Sequence, residues 1–214
     1  MSFIEFVEGP FYTVAMTIFL LGAAWRVIGI IRIGRKKDIS PPKGSAAAGF
    51  FKGNLRHFFP RGIFARRTWL HIVGGYGFHL GLFGLMLFAA PHVAFISERI
   101  TGFGWPTLPR WGFVITAEIA FAGLIVLWVR RISDPVMRLI SDWDDHIGTW
   151  ITFFVMLSGC FAMQESHVFL RATHMLLVNI WLIYFPFGRL MHAFTFFLSR
   201  GNTGATYGRK GMNL

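Results

Sequence analysis

A single cysteine, Cys160, among 214 residues excludes an intrachain disulfide, and with it any zinc or iron–sulfur site built on the cysteines of this chain alone. Charge is scarce as well. Asp, Glu, Lys and Arg together make up 14% of the chain, against about 25% in an ordinary soluble domain. A water-soluble domain of this length needs a polar shell that this composition cannot supply. Acidic residues are the rarest charges, 10 against 21 Lys and Arg, for a net charge of +11 with histidine neutral. There is no internal repeat and no low-complexity segment. What fills the sequence instead is apolar: 54% hydrophobic residues, 25 of them phenylalanine, and a mean hydropathy of +0.54.

A membrane-spanning helix needs about 20 mostly apolar residues. Five stretches qualify, at 11–31, 69–95, 111–129, 147–163 and 172–198. The expected fold is therefore an all-α integral membrane protein, one five-helix domain over 1–214. The first apolar run does not read as a cleaved signal peptide, because Glu5 and Glu8 precede it rather than basic residues. The one sizeable polar stretch, 34–67, reads as a surface loop with a short interfacial helix around 46–59.

The basic residues orient the bundle. With the N-terminus outside, Arg32, Arg35, Lys36, Lys37, Lys43, Lys52, Arg56, Arg61, Arg66 and Arg67 fall in the first inside loop. Arg130, Arg131 and Arg138 fall in the second, and Arg200, Arg209 and Lys210 in a cytoplasmic C-terminal tail. Only Arg99, Arg110 and Arg171 lie outside, while Arg26 and Arg189 are within spans. The excess of positive charge is thus a topology signal rather than a nucleic-acid surface, which would need basic and aromatic residues interleaved outside the membrane.

Four of the eight histidines fall at membrane depth: His79, His92, His174 and His192. Ionisable groups there are costly, so each is a functional candidate, although one such histidine alone is as readily an interhelical hydrogen bond. At 1.5 Å per residue, His79 lies about 18 Å and His92 about 38 Å from the inner surface along span two. Along span five, His192 lies about 12 Å and His174 about 39 Å deep. Antiparallel helices place His79 level with His192 and His92 level with His174. Two imidazoles per level, from different helices, are how a haem is held by two axial ligands, and the levels are far enough apart for two haems. In a continuous helix, His174 and His192 are five turns apart on one face.

Gly74, Gly75, Gly77, Gly81 and Gly84 surround His79 in sequence. They suit either a flat macrocycle near the backbone or close helix packing. Arg189 suits either a haem propionate or an interfacial cation, and Arg26 has the same two readings. His71 is too shallow to replace His79, and His57, His146 and His167 sit in the loop or at span ends.

Particular stretches then resemble a known family. Phe78-His79-Leu80-Gly81-Leu82-Phe83-Gly84 resembles the second helix of the respiratory nitrate reductase gamma subunit family. Phe185-Pro186-Phe187-Gly188-Arg189-Leu190-Met191-His192 resembles its fifth helix, and Arg130-Arg131 with Asp134-Pro135-Val136-Met137-Arg138 a connection between its helices. The family includes sulfite-reductase-linked and heterodisulfide-reductase-like membrane subunits. Gly104-Trp105-Pro106-Thr107-Leu108-Pro109, Ile140-Ser141 and Arg209-Lys210-Gly211 are similar to those sulfur-linked relatives.

The resemblance implies a dihaem cytochrome b of the bacterial or archaeal cytoplasmic membrane. It would exchange electrons between quinone and a cytoplasmic-side iron–sulfur partner. It implies that His79 and His192 hold the inner haem b and that His174 holds one side of the outer. Where the family has its other ligand on helix two, this chain has Ala89; the nearest histidine is His92. Thirteen residues turn an ideal helix by about 220°, which points His92 away from the seam of His79 unless Pro91 ends or kinks the helix. By the same analogy quinone binds near the outer loop, 97–110, and the basic inner loop docks a peripheral subunit or anionic lipid.

Rival readings are the same role in a sulfur-linked complex, a non-redox membrane anchor, or a transporter in which histidines relay protons. A transporter would show paired glycine and proline interruptions in its two halves, and the sequence shows no such symmetry. A di-iron oxygenase would need clustered histidine boxes, which are absent.

Overall fold

The computed structural model describes residues 1–34, 38–58, 62–163 and 167–212, the Phe64 side chain apart. Arg35, Lys36, Lys37 and Arg61 of the expected inside loop lie outside the described residues. All regular structure among the described residues is helical: α1 (Phe3–Glu8), α2 (Pro10–Ile33), α3 (Ala46–His57), α4 (Gly62–Phe88), α5 (Ala90–Ile96), α6 (Arg110–Ser133), α7 (Pro135–Ile140), α8 (Trp143–Ala162), α9 (Val168–Tyr184) and α10 (His192–Arg209). A π-helical turn, Ser97–Thr101, follows α5, and a 3₁₀ turn, Arg189–Met191, precedes α10.

Three helical stretches are long and apolar enough to cross a membrane: Phe3–Ile33, Ala65–Phe88 and Arg110–Ser133. A fourth is the pair α9 and α10, bent at a short break. In the three continuous stretches only 11% to 28% of the apolar window is buried within the protein. Leu20, Leu21 and Trp25 on α2 and Trp111, Ile115 and Ile119 on α6 stand exposed. Apolar helices left this bare require a nonaqueous surround. α8, the expected fourth span, does not reach the same apolarity. It opens on an Asp142–Asp145 capping box, with Asp144 and Asp145 in its first turn.

The chain divides into two compact units, Met1–Ala15 with Thr68–Trp181, and Met16–Arg67 with Leu182–Leu214. The first has a core of Phe78, Leu85, Ala117, Ala120, Leu124 and Met156, where α4, α6 and α8 meet. Small residues set the closeness of α4 and α6. A Cβ on Gly74 would lie 2.9 Å from Val126, on Gly81 2.7 Å from Ala120 and on Gly84 2.9 Å from Thr116. Buried Asn179 on α9 donates to the Val7 carbonyl at 2.8 Å, and Arg171 pairs with Glu8 at 2.5 and 2.7 Å, fixing α1 in this unit. Beyond α6, Asp134 caps α7 by accepting from Val136 and Met137, and Arg131 ties Ser141 (2.9 Å) and Asp145 (3.0 Å) together.

In the second unit α3 packs along α10 through glycines. A Cβ on Gly53 would come within 2.8 Å of the Gly204 Cα, and one on Gly208 within 2.6 Å of the Ser45 carbonyl. Phe19, Phe185 and Phe194 form an aromatic trio with ring centres 5.2 to 5.9 Å apart. Pro186 is fully buried, and a Cβ on Gly22 would strike its ring at 2.6 Å.

The structure decides continuity at two places, the Pro91 alternative on the second span and the fifth span read as one helix. The second span is broken at Ala89, whose ψ of 135° is extended; Pro91, in the first turn of α5, lacks the N–H a continuing helix needs. The fifth is broken at Phe185-Pro186-Phe187-Gly188, where the Phe187 and Gly188 amides both turn back to the Tyr184 carbonyl. His174 and His192 are therefore not on one face of one helix. The second and fifth spans are thus both interrupted, where the sequence showed no paired symmetry of interruptions.

Candidate functional site

The break after α4 builds one side of the site. A helix ends with carbonyls lacking partners, and at membrane depth each must be satisfied within the protein. Pro91 cannot donate to the Leu87 carbonyl four residues earlier; the Trp105 indole N–H takes it instead at 2.7 Å. His92 donates its amide to Ala89 rather than Phe88, and the Leu108 amide occupies the Phe88 carbonyl at 2.8 Å. The Gly104–Pro109 stretch thus closes the helix end that Pro91 opens. The His92 ring reaches back to a third carbonyl, Leu85, with Nδ1 at 3.1 Å. A carbonyl only accepts, so Nδ1 carries the hydrogen, and in the neutral ring the lone pair is on Nε2.

The other side comes from α8 and α9. His174 Nδ1 lies 3.1 Å from the Ser158 hydroxyl, and that hydroxyl donates to the Val155 carbonyl at 3.0 Å. With its one hydrogen committed, Ser158 accepts from His174, so His174 also presents the Nε2 lone pair. Gly159 beside it supplies room, since a Cβ there would stand 3.1 Å from His174 Cε1.

The two rings meet. The centres of His92 and His174 are 6.1 Å apart and their planes 18° from parallel. Two metal–imidazole bonds of about 2.0 Å put opposed nitrogens about 4 Å apart and the ring centres about 6 Å apart. The separation is of that size, and each ring has a carbonyl or hydroxyl behind it, so the two side chains could serve as a ligand pair. Among the described residues no three His, Cys, Asp or Glu side chains gather around a common point.

His79 and His192 lie in different units and are each described within their own. His79, half-buried on α4, directs Nδ1 to the Gly75 carbonyl at 2.7 Å; His192, exposed at the start of α10, directs Nδ1 to the Arg189 carbonyl at 2.8 Å. In each, Nδ1 faces a carbonyl and so carries the hydrogen. Arg189 is exposed in the 3₁₀ turn before His192. Of the glycines near His79, Gly74, Gly77, Gly81 and Gly84 face α6, about 180° around the helix from His79. Helix packing, not access to the His79 ring, accounts for those four. Gly75 alone serves the histidine, through its carbonyl. The shallower His57 makes the same i−4 bond, to Gly53 at 2.5 Å, so the bond orients a ring without by itself marking a ligand.

The sequence reading missed Ser158 and Gly159, the two residues that seat His174. Their signal was a Ser-Gly pair inside an apolar run, one turn from nothing else polar. It also missed the part Trp105 plays behind His92.

No family model matches this chain. A protein of Nitratidesulfovibrio vulgaris strain Hildenborough, described only as "Protein", is 28% identical over 213 residues, covering 96% of this chain and 93% of its own length. The likeness extends over nearly the whole of both chains and brings no activity with it.

Proposed function

We propose that this chain is a membrane cytochrome b subunit that passes electrons between the quinone pool and an iron–sulfur partner on the cytoplasmic side. The observation that carries the reading is the His92–His174 pair: two imidazoles on separate helices, each with Nδ1 anchored and the rings 6.1 Å apart. His92 and His174 would hold one haem b, and His79 with His192 a second; a bound haem supplies a one-electron carrier whose potential its axial ligands tune. The chain's own residues fix ring orientation, keep the Nδ1 hydrogens engaged and surround the pair with apolar helices. Arg189 would offer its cation to a propionate. The N-terminus lies outside and the basic loop inside, by the distribution of Lys and Arg. The chain acts on quinone as one subunit of a complex and does not meet the terminal substrate, be it nitrate or a sulfur compound.

The two interrupted spans favour a second reading, a transporter whose histidines relay protons. One spectrum separates the two. Protein purified in mild detergent should give a reduced b-type spectrum with two haems per chain, and a quinol analogue should reduce them. His92→Ala and His174→Ala should each remove one haem, and His79→Ala and His192→Ala the other. A chain without haem overturns the reading; a single haem that survives loss of His92 and His174 overturns that pair.

A further inference from the structure

Helix α3 divides into three sectors. Taking 100° per residue, Gly49, Gly53 and Asn54 occupy the buried side that packs on α10. Ala47, Phe51 and Leu55 fall within an arc of about 80° on another side, and the following Phe58 ends that arc with its ring against Phe196 of α10. Phe51 is 63% and Leu55 65% exposed, and Phe58 is exposed beside them. Lys52 and Arg56, both exposed, lie next round the helix, at the border of the apolar arc. Arg200 of α10 sits at the end of the arc, its guanidinium 5.2 Å from the centre of the Phe58 ring and 5.3 Å from that of Phe196.

A short helix with a bare phenylalanine and leucine face bordered by cations is the pattern of one that lies in a membrane interface. Its place in the chain requires proximity to the bilayer. The linker between His57 and Gly62, where α4 begins, is four residues, five Cα steps with a reach of about 18 Å at most, and α4 carries a candidate span from Ala65. The cations choose the surface, because the anionic headgroups of a cytoplasmic leaflet attract Lys and Arg.

We infer that α3, braced by α10, lies on the cytoplasmic membrane surface with Phe51, Leu55 and Phe58 in the acyl boundary and Lys52, Arg56 and Arg200 on anionic lipid headgroups. This rests on the membrane insertion of α4 and not on haem.

The test uses the full chain with Cys160→Ala, reconstituted in vesicles of phosphatidylcholine alone or with about a third phosphatidylglycerol. Single cysteines replace Phe51, Leu55, Lys52 or Arg56 and carry a spin label. In anionic vesicles, labels at 51 and 55 should collide with oxygen severalfold more than with a water-soluble nickel chelate, while labels at 52 and 56 should not. Adding Lys52→Gln, Arg56→Gln and Arg200→Gln should remove the dependence on phosphatidylglycerol. Labels at 51 and 55 open to the nickel chelate in both vesicles would overturn the proposal. Labels shielded from both reagents would also overturn it, showing a second copy or another protein on that face.

Discussion

Ser158 accepts the Nδ1 hydrogen of His174 at 3.1 Å and passes its own hydroxyl hydrogen to the Val155 carbonyl one turn earlier on α8. The relay fixes both the tilt and the tautomer of the imidazole. Removing such a partner behind a metal-binding histidine costs about 10- to 100-fold in affinity. Ser158→Ala should therefore leave the haem count at purification unchanged but speed its loss to a haem-scavenging protein by about that factor. Ser158→Thr, which keeps the hydroxyl, should restore retention. Equal retention in Ser158→Ala would mean that His174 is oriented by packing alone.

Trp105 acts from a distance on His92, proposed above as the opposite ligand. Its indole N–H occupies the Leu87 carbonyl that Pro91 leaves unpaired. Leu87 is exposed on an apolar helix, and a carbonyl left unpaired away from water costs about 1–3 kcal/mol. Trp105→Phe keeps the aromatic bulk and loses only the donor, so it should lower the thermal midpoint in detergent and release the haem of His92 before that of His79. The measurement is the absorbance of each haem followed through a thermal ramp. Loss of both haems together would show that the α4–α5 corner does not respond to this bond.

The apolar runs were plain in the sequence because crossing a bilayer demands length and apolarity together, and both can be counted. Counting along them also put His92 level with His174, whose rings the structure brings together. The breaks were harder. Pro91 could be weighed as a helix end, whereas Pro186 sat in a motif read as continuous helix; its ring fits against Gly22, a partner more than 160 positions away that no local pattern reveals. The glycines near His79 carried a signal that went unused. Their spacing, 74, 77, 81 and 84, is that of one helix face, and His79 is not on it. Ser158 and Gly159 could not be assigned to His174 at all from sequence, since helix pairing decides which residues stand behind a ring.

Two contacts tie α1 within its unit, and their magnitudes should differ. Arg171 and Glu8 form a bidentate pair, but the arginine is largely exposed, and such pairs contribute about 0–1 kcal/mol. Asn179 is fully buried and its amide holds the Val7 carbonyl at 2.8 Å; loss of that donor strands a buried acceptor, at about 1–3 kcal/mol. Asn179→Ala should destabilise the detergent-solubilised protein clearly more than Glu8→Gln, judged from the thermal midpoints of both variants. The reverse order would place the anchor of α1 at the ion pair.

The last contact responds to pH. The Ser40 hydroxyl and amide donate to the Asp38 carboxylate at 2.7 and 3.0 Å and, with Arg209 beside it, hold its pKa below the ordinary carboxylate value. A carboxyl whose folded pKa is lowered stabilises the structure above its unfolded value and loses that contribution as pH falls through the folded one. Arg209 also donates to the Asp38 and Ser40 carbonyls, and its own carbonyl receives the Lys43 and Gly44 amides at 2.8 and 3.1 Å. Acidification below about pH 4 should thus loosen the junction of the 38–45 segment with the end of α10. Hydrogen exchange at Lys43 and Gly44, corrected for the intrinsic pH effect, should lose protection there while the amides within α6 keep theirs. In Asp38→Asn the carboxylate is gone at every pH, so protection should be low and flat across the same range. A wild-type profile as flat as that of Asp38→Asn would show that the carboxylate does not hold Arg209 in place.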